Sequence, residues 1–275
     1  MKIALFQACT GIDPMANAAD LVQAVETAAD GGAEILFTPE MSGLLDSNRE
    51  RAASSIQTED RDPVLQAVRS AARDTAIWVH LGSLALLAED GSGRFVNRGF
   101  LIDDVGEIRA RYDKIHLFDV DLPTGESWRE SSAYAGGTRA VTAQTPLGRI
   151  GLSICYDLRF PDLYRALTNA GATLLSIPAA FTVPTGQDHW HVLMRARAIE
   201  AGVFVVAAAQ SGTHQDGRRT YGHSLVVDPW GSVLLDMGEA NGVDFCDLDL
   251  AQVDVVRSRL PTISHRREIG AVETG

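Results

Sequence analysis

Cysteine is scarce in this chain: Cys9, Cys155 and Cys246 are the only three among 275 residues. An odd number at such wide spacing argues against a disulfide framework and fits a reducing cytoplasm. Basic residues are outnumbered, with 24 Lys and Arg against 36 Asp and Glu, for a formal charge of -12. Such a surface repels phosphate backbones, so neither nucleic acid nor an anionic membrane is an expected partner. No apolar stretch reaches the roughly eighteen residues that span a bilayer. Met1-Lys2 runs straight into Ile3-Ala4-Leu5-Phe6 without an apolar signal core, which again predicts a cytoplasmic protein. Repeats, low-complexity tracts and linker-like segments are missing too, so a single domain over 1–275 is expected.

What is present is an ordinary globular composition, 45% hydrophobic and 22% charged, at a length that suits one large α/β domain. Asp13-Pro14 reads as a helix start, and Gly31-Gly32 as its stop. Met15, Ala18, Ala19, Val22, Val25 and Ala29 form its expected inward face. A buried strand at 34–38 and a helix near 61–74 follow. Runs near 76–87, 94–103 and 107–112 read as strands with no helix between them, hence an antiparallel or mixed stretch of sheet. Residues 113–137 lack periodicity, and a loop of that length inside a domain is usually functional. Strands at 139–145 and 149–155 pair across Pro146-Leu147-Gly148, and a helix follows Cys155 with Pro161 in its first turn. A strand at 173–178, a helix at 187–201 and an apolar central strand at 203–209 come next. Strands near 223–228, 232–236 and 243–248, a short helix and a polar tail complete the chain. The expected fold class is α/β: two mixed sheets packed face to face with helices outside.

Three chemically capable residues each end a strand-like run: Glu40, Lys114 and Cys155. In open α/β folds ligands bind beyond the carboxyl ends of strands, so the three are candidates for one pocket. A thiol with a carboxylate base and an ammonium oxyanion clamp is an acyl-transfer set. Taken singly, each has a duller explanation. A free cysteine is commonly core filling, a lysine after a strand is commonly a solvated charge, and Glu40 after Pro39 fits a turn. Position favours Cys155, because a strand-to-helix junction offers backbone N–H groups that lower a thiol's pKa. Cys9 and Cys246 lack such a junction and are read as structural.

The segments Pro39-Glu40, Tyr112-Asp113-Lys114-Ile115-His116-Leu117-Phe118 and Cys155-Tyr156-Asp157-Leu158-Arg159-Phe160-Pro161 resemble the three signatures of the nitrilase superfamily of carbon–nitrogen hydrolases, in the family's order. The similarity runs from residue 2 to about 267. It takes in Pro178-Ala179-Ala180-Phe181, Arg195-Ala196-Arg197-Ala198-Ile199-Glu200 and Tyr221-Gly222-His223-Ser224. Within the superfamily the chain is most similar to the amidase branch that includes deaminated-glutathione amidase and ω-amidase. The resemblance implies an αββα sandwich that dimerises or assembles further, with no metal and no organic cofactor. It also implies Glu40 as general base and acid, Lys114 as stabiliser of the oxyanion, Cys155 as nucleophile, and Glu130 as the additional glutamate beside the lysine. Glu126 lies in the same loop, and Glu130 is preferred on the family's Glu-Ser pattern. The implied substrate is a small carboxamide cleaved to acid and ammonia through a thioester.

Substrate contacts are expected from Tyr156, Arg159, Phe181 and Thr182. Arg159 suits a carboxylate through its planar fork, the alternative being a salt bridge with Asp157 or Asp162. After His189-Trp190, relatives commonly carry an acidic residue, whereas here the position is His191. A metal hydrolase would draw on His189, His191, His214 and His223. However, His189-x-His191 does not share a helical face, and neither Cys-x-x-Cys nor His-Glu-x-x-His occurs. A thiol redox protein would need a second cysteine close to Cys155 in sequence. A non-catalytic binding protein on the same fold has no physical need for the complete Glu40, Lys114 and Cys155 set. ω-Amidase, N-carbamoyl amino acid hydrolase and nitrile-hydrolysing activities remain open at this level.

Overall fold

The computed structural model describes residues 1–122, 125 and 127–275. Six α-helices are formed among them: α1 (Pro14–Asp30), α2 (Arg49–Ser55), α3 (Pro63–Thr75), α4 (Pro161–Asn169), α5 (Val183–Ala201) and α6 (Gln252–Arg259). The first half of the chain supplies strands β1 (Lys2–Gln7), β2 (Ile35–Phe37), β3 (Trp78–Leu87), β4 (Phe95–Ile102), β5 (Ile108–Asp113), β6 (Asp119–Asp121) and β7 (Ser127–Arg129). The second half supplies β8 (Val141–Thr145), β9 (Gly148–Leu152), β10 (Leu174–Ser176), β11 (Phe204–Ala207), β12 (Ser211–Thr213), β13 (Arg219–Tyr221), β14 (Leu225–Val227), β15 (Val233–Asp236) and β16 (Gly242–Asp247).

The two large sheets have related plans. One runs β16-β1-β2-β3-β4-β5, and the other runs β15-β14-β11-β10-β9-β8. Each has a parallel triplet, β1-β2-β3 and β9-β10-β11, flanked by antiparallel strands. The short parallel strands β2 and β11 are apolar throughout, as expected where both faces are covered. Ile3, Leu5, Ile35 and Phe37 of one sheet share a buried cluster with Ile150, Leu152, Leu174 and Val205 of the other. On the outer side of the first sheet, α1 and α3 bury Leu21, Val25, Leu65 and Val68 against Ala4, Leu36 and Val79. Trp190 and Met194 of α5 and Leu163 and Leu167 of α4 join that shared cluster through the second sheet's strands. The architecture is therefore the expected four-layer αββα arrangement of mixed sheets.

Local sequence fixes where these helices begin. Asp13 accepts from the N–H of Met15, and Asp62 accepts from that of Leu65, each with proline opening the helix behind it. The inward face of α1 differs from the expected one. Asn17, Ala18, Leu21, Ala24, Val25 and Ala28 are buried, while Met15 is 63% exposed. Alanine lies on both sides of this helix, so periodicity alone left its rotation open, and the larger Leu21 went inward. The 113–137 stretch contains the β6–β7 hairpin and a short 3₁₀ turn at Glu130–Ser132. Glu126, the alternative acid of that loop, lies outside the described residues.

One glycine matters for the site. A side chain at Gly82 in β3 would collide with the carbonyl oxygens of Thr38 and Pro39. Only glycine lets β3 approach the segment that delivers Glu40 so closely.

Candidate active site

Glu40 stands just beyond β2, Lys114 directly after β5, and Cys155 just beyond β9. Two sheets thus deliver three side chains to one cavity of about 430 Å³, whose lining also includes Glu130 and Asn97. All three side chains are buried, at 4%, 3% and 7% exposure. Lys114 Nζ lies 2.8 Å from Glu40 Oε1, and 2.9 and 3.2 Å from the two oxygens of Glu130. Asn97 Nδ2 donates to Glu40 Oε1 at 3.0 Å and to Glu130 Oε1 at 3.3 Å, bridging the two carboxylates. Glu40 Oε2 accepts the N–H of Ala180 at 2.9 Å, and Glu130 Oε2 accepts that of Phe118 at 2.7 Å. The Cys155 thiol lines the same cavity and feels the charge of Glu40.

This network sets the protonation states. Burial alone would raise the Glu40 carboxyl, but the charge and hydrogen bond of Lys114, with help from Cys155 and Asn97, bring it below its ordinary value. Burial alone would lower Lys114, yet Glu130 and Glu40 hold it well above its usual value. The cluster at neutral pH is thus an ammonium between carboxylates, facing a neutral thiol. Burial, then the charge of Glu40, push the Cys155 thiol well above its normal value, with Lys114 only partly opposing them.

That direction corrects the expectation of a thiol lowered at a helix start. Cys155 opens a 3₁₀ turn, Cys155–Arg159, and α4 begins only at Pro161. The start of α4 is thus six residues beyond the sulfur, and the charge of Glu40 acts on the thiol. The backbone at Cys155 is left-handed, with φ of +50°, and Met41 next to Glu40 has φ of +57°. Both conformations are sparsely populated for residues with a Cβ and typify positions held by their surroundings.

Asp157, fully buried, ties the lysine segment to the cysteine turn. Its Oδ2 accepts from Tyr112 Oη at 2.7 Å and from the N–H of Ile154 at 2.9 Å. Its Oδ1 accepts the N–H of His116 at 3.0 Å and lies 2.7 Å from His116 Nδ1. Lys114 and Cys155 are thus flanked by residues that grip one carboxylate. Cys155 itself donates its N–H to Pro178 O at 2.9 Å.

The expected substrate contacts also line the cavity: Tyr156, Arg159, Phe181 and Thr182. The salt bridge considered for Arg159 is absent among the described residues. Asp157 is occupied as above, and Arg159 instead lies 3.1 Å from His189 Nδ1, over the ring of Phe181. Arg218 stacks over Trp128 and pairs with Asp216 at 3.4 Å. Arg49 and Arg129 also reach the cavity, where Arg129 is bound to Asp121. Sequence reasoning missed Asn97, Asp157 as a clamp, and Arg218. Asn97 carried a usable signal, as a neutral polar residue within the largely apolar strand run Phe95–Ile102.

The histidines scatter. His214 is buried, with its ring nitrogens engaged by Thr10 O and Thr220 Oγ1. His189 contacts Arg159, and among the described residues His191 and His223 come together on Asp236.

Comparison with known proteins agrees with this architecture. The carbon-nitrogen hydrolase family model matches residues 2–258. Deaminated glutathione amidase from Yersinia enterocolitica is 36% identical over 272 residues, covering 98% of this chain and 94% of that protein. The Caenorhabditis elegans NitFhit crystal structure superposes with a TM-score of 0.89 at 39% identity. It covers 97% of this chain, which spans 65% of that longer protein. A glutamate-to-glutamine variant of the amidase from Nesterenkonia sp. AN1, with acrylamide added at its active-site cysteine, superposes with a TM-score of 0.78. It is 28% identical and covers 95% of this chain and 98% of its own. With a family match over nearly its whole length and a buried thiol, ammonium and carboxylate in one cavity, this chain belongs to the carbon–nitrogen hydrolases.

Proposed function

We propose that this enzyme hydrolyses a small linear carboxamide bearing a carboxylate, of the deaminated-glutathione type, to the acid and ammonia through a thioester on Cys155. The observation that carries this reading is the Glu40–Lys114 ion pair in the same buried cavity as the Cys155 thiol. Because the thiol is protonated at rest, attack and deprotonation must be coupled. Glu40 takes the S–H proton as sulfur bonds to the carbonyl carbon, and the carbonyl electrons move onto oxygen. Lys114 and the N–H of Tyr156 hold that oxyanion, the Cys155 N–H being committed to Pro178. Glu40 returns the proton to nitrogen as the C–N bond breaks and ammonia leaves. The same carboxylate then deprotonates water, which attacks the thioester and releases the acid, and sulfur recovers its proton. One oxyanion donor is worth about 3 kcal/mol of barrier, and the acid–base relay contributes roughly 10²–10⁴-fold. Glu130 keeps Lys114 charged and aimed throughout.

Substrate recognition is assigned to Arg159, whose guanidinium has no carboxylate partner among the described residues and fits a bidentate carboxylate contact. Tyr156, Phe181 and Thr182 shape the wall beside it. The relative from Yersinia enterocolitica bears the name of a deaminated glutathione amidase, which supports that substrate type. We also read the protein as one cytoplasmic domain. No helix among the described residues is long and apolar enough to cross a membrane. Exposed Val192, Ile199, Trp230, Val233 and Leu234 favour a homo-oligomer.

Ammonia release measured on deaminated glutathione, α-ketoglutaramate and an N-carbamoyl amino acid tests the assignment. The highest kcat/KM is expected on deaminated glutathione. Preference for either of the others reassigns the substrate, and no ammonia from any amide overturns the reading.

A further inference from the structure

Outside the catalytic cavity, two imidazoles converge on one carboxylate. His191 Nε2 lies 2.9 Å from Asp236 Oδ2, and His223 Nδ1 lies 2.9 Å from Asp236 Oδ1. One ligand atom from each residue falls within 4.8 Å of the others. We propose that His191, His223 and Asp236 form a binding site for a divalent transition-metal ion, with Zn²⁺ the best chemical match.

Bonds of about 2.0–2.2 Å from imidazole and carboxylate to Zn²⁺ set tetrahedral ligand separations near 3.3 Å. Both nitrogen–oxygen distances here are a few tenths of an ångström shorter, and the remaining separation is no more than 4.8 Å, so side-chain rotations must draw the three atoms around the ion. Two nitrogens and one oxygen favour Zn²⁺, Ni²⁺ or Cu²⁺ over Mg²⁺ or Ca²⁺, which prefer all-oxygen shells. The three side chains are 34%, 22% and 32% exposed in the order His191, His223, Asp236. Solvent can therefore complete the coordination with water.

The ligands come from separate elements and are individually braced. His191 sits within α5, His223 follows β13, and Asp236 ends β15. His223 has a left-handed backbone with φ of +57°. Its N–H donates to Gly238 O, its carbonyl accepts the Trp190 indole at 2.8 Å, and its ring stacks on Tyr221. Asp236 Oδ1 accepts the N–H of Gly238 at 2.9 Å. Backbone and indole partners of this kind orient metal ligands from outside the first coordination layer. An ion here would pin α5 to β15 without entering the catalytic cavity, which none of the three residues lines.

The test uses the intact protein stripped of metal, then dialysed against Zn²⁺, with bound metal counted by mass spectrometry. One Zn²⁺ per chain is expected, with affinity falling at least roughly 100-fold in both His191→Gln and Asp236→Asn. Glutamine at 191 can still hydrogen-bond to Asp236, so its loss of metal separates coordination from a simple polar network. Circular dichroism confirms that both variants are folded. Co²⁺ in place of Zn²⁺ should give tetrahedral d–d absorption without thiolate-to-metal charge transfer, which excludes Cys9, Cys155 and Cys246 as the ligands. Absence of binding, unchanged affinity in either variant, or a thiolate band would overturn the proposal.

Discussion

The ammonium of Lys114 lies 2.8 Å from Oε1 of Glu40, in a region where neither side chain is more than 5% exposed. With Glu130 at 2.9 Å on its other side, one buried cation serves two carboxylates. Removing it leaves those carboxylates uncompensated, a loss typically costing about 3–5 kcal/mol. Lys114→Met should therefore lower the urea midpoint strongly as well as abolish ammonia release. Adding Glu130→Gln to that variant should recover part of the stability but none of the activity. Equal stability of Lys114→Met and wild type would show that the ion pairs do not govern this cluster.

Cys155→Ala should leave circular dichroism and Tm near wild type while reducing turnover by roughly 10⁴-fold or more, as expected when a nucleophile is deleted. Cys9→Ser and Cys246→Ser should retain activity, since Cys9 is exposed, Cys246 is half-buried, and neither lines the cavity. In Glu130→Gln, deacylation should slow enough for an acyl adduct on Cys155 to appear by intact mass. Full activity in a folded Cys155→Ala protein would refute the nucleophile assignment.

The location of this chemistry was legible because strand ends are legible. Strand-like runs ending in Glu40, Lys114 and Cys155 predict side chains just beyond strand ends, and the packing of two sheets brings those ends to one cavity. What was not legible depends on contacts distant in sequence. Asp157 works through Tyr112 and His116, more than 40 positions away, and no local pattern encodes that clamp. The thiol's pKa direction was misread for the same reason. Position beside a turn was visible, whereas burial against Glu40 exists only once the sheets pack. Helical spacing spoke only to His189-x-His191, and it says nothing of His223 and Asp236, which meet His191 only in the folded chain.

The acid limb of kcat/KM should lie below the ordinary carboxylate range. In the proposed mechanism Glu40 is the base, and despite burial its folded pKa is lowered from 4.5 by Lys114 and its hydrogen bonds. Activity therefore persists as pH falls until that depressed value is reached, and is lost when Glu40 takes up a proton. Glu40 also contributes stability that is present above its unfolded pKa and lost as pH falls through the folded one. A pH–rate profile showing half-loss well above pH 4.5, with the fold intact by circular dichroism, would contradict Glu40 as the titrating base.

Arg159→Met should raise KM by roughly 10- to 100-fold for a carboxylate-bearing amide while changing kcat little, because a contact to a remote group binds ground and transition states alike. A short neutral amide should show no such penalty. If both substrates suffer equally, Arg159 acts by shaping the wall through Phe181 and His189 instead of by binding charge.

A second pH effect concerns stability alone. His80 in β3 is 1% exposed, and its Nδ1 lies 3.2 Å from Ser176 Oγ across the sheet interface. Burial lowers its pKa from 6.5 to about 3, so the folded protein holds the ring neutral. Below pH 6.5 the unfolded chain takes up a proton that the native state refuses, so stability falls as pH drops from 6.5 toward 3. Between pH 7 and pH 5 the loss from this residue is about 2 kcal/mol. That window lies above the range in which Glu40 titrates. His80→Gln should flatten the pH dependence of the urea midpoint by that amount, leaving a residual slope from His214, whose pKa burial also lowers. An unchanged slope in the variant would mean that the ring at position 80 is protonated in both states or in neither.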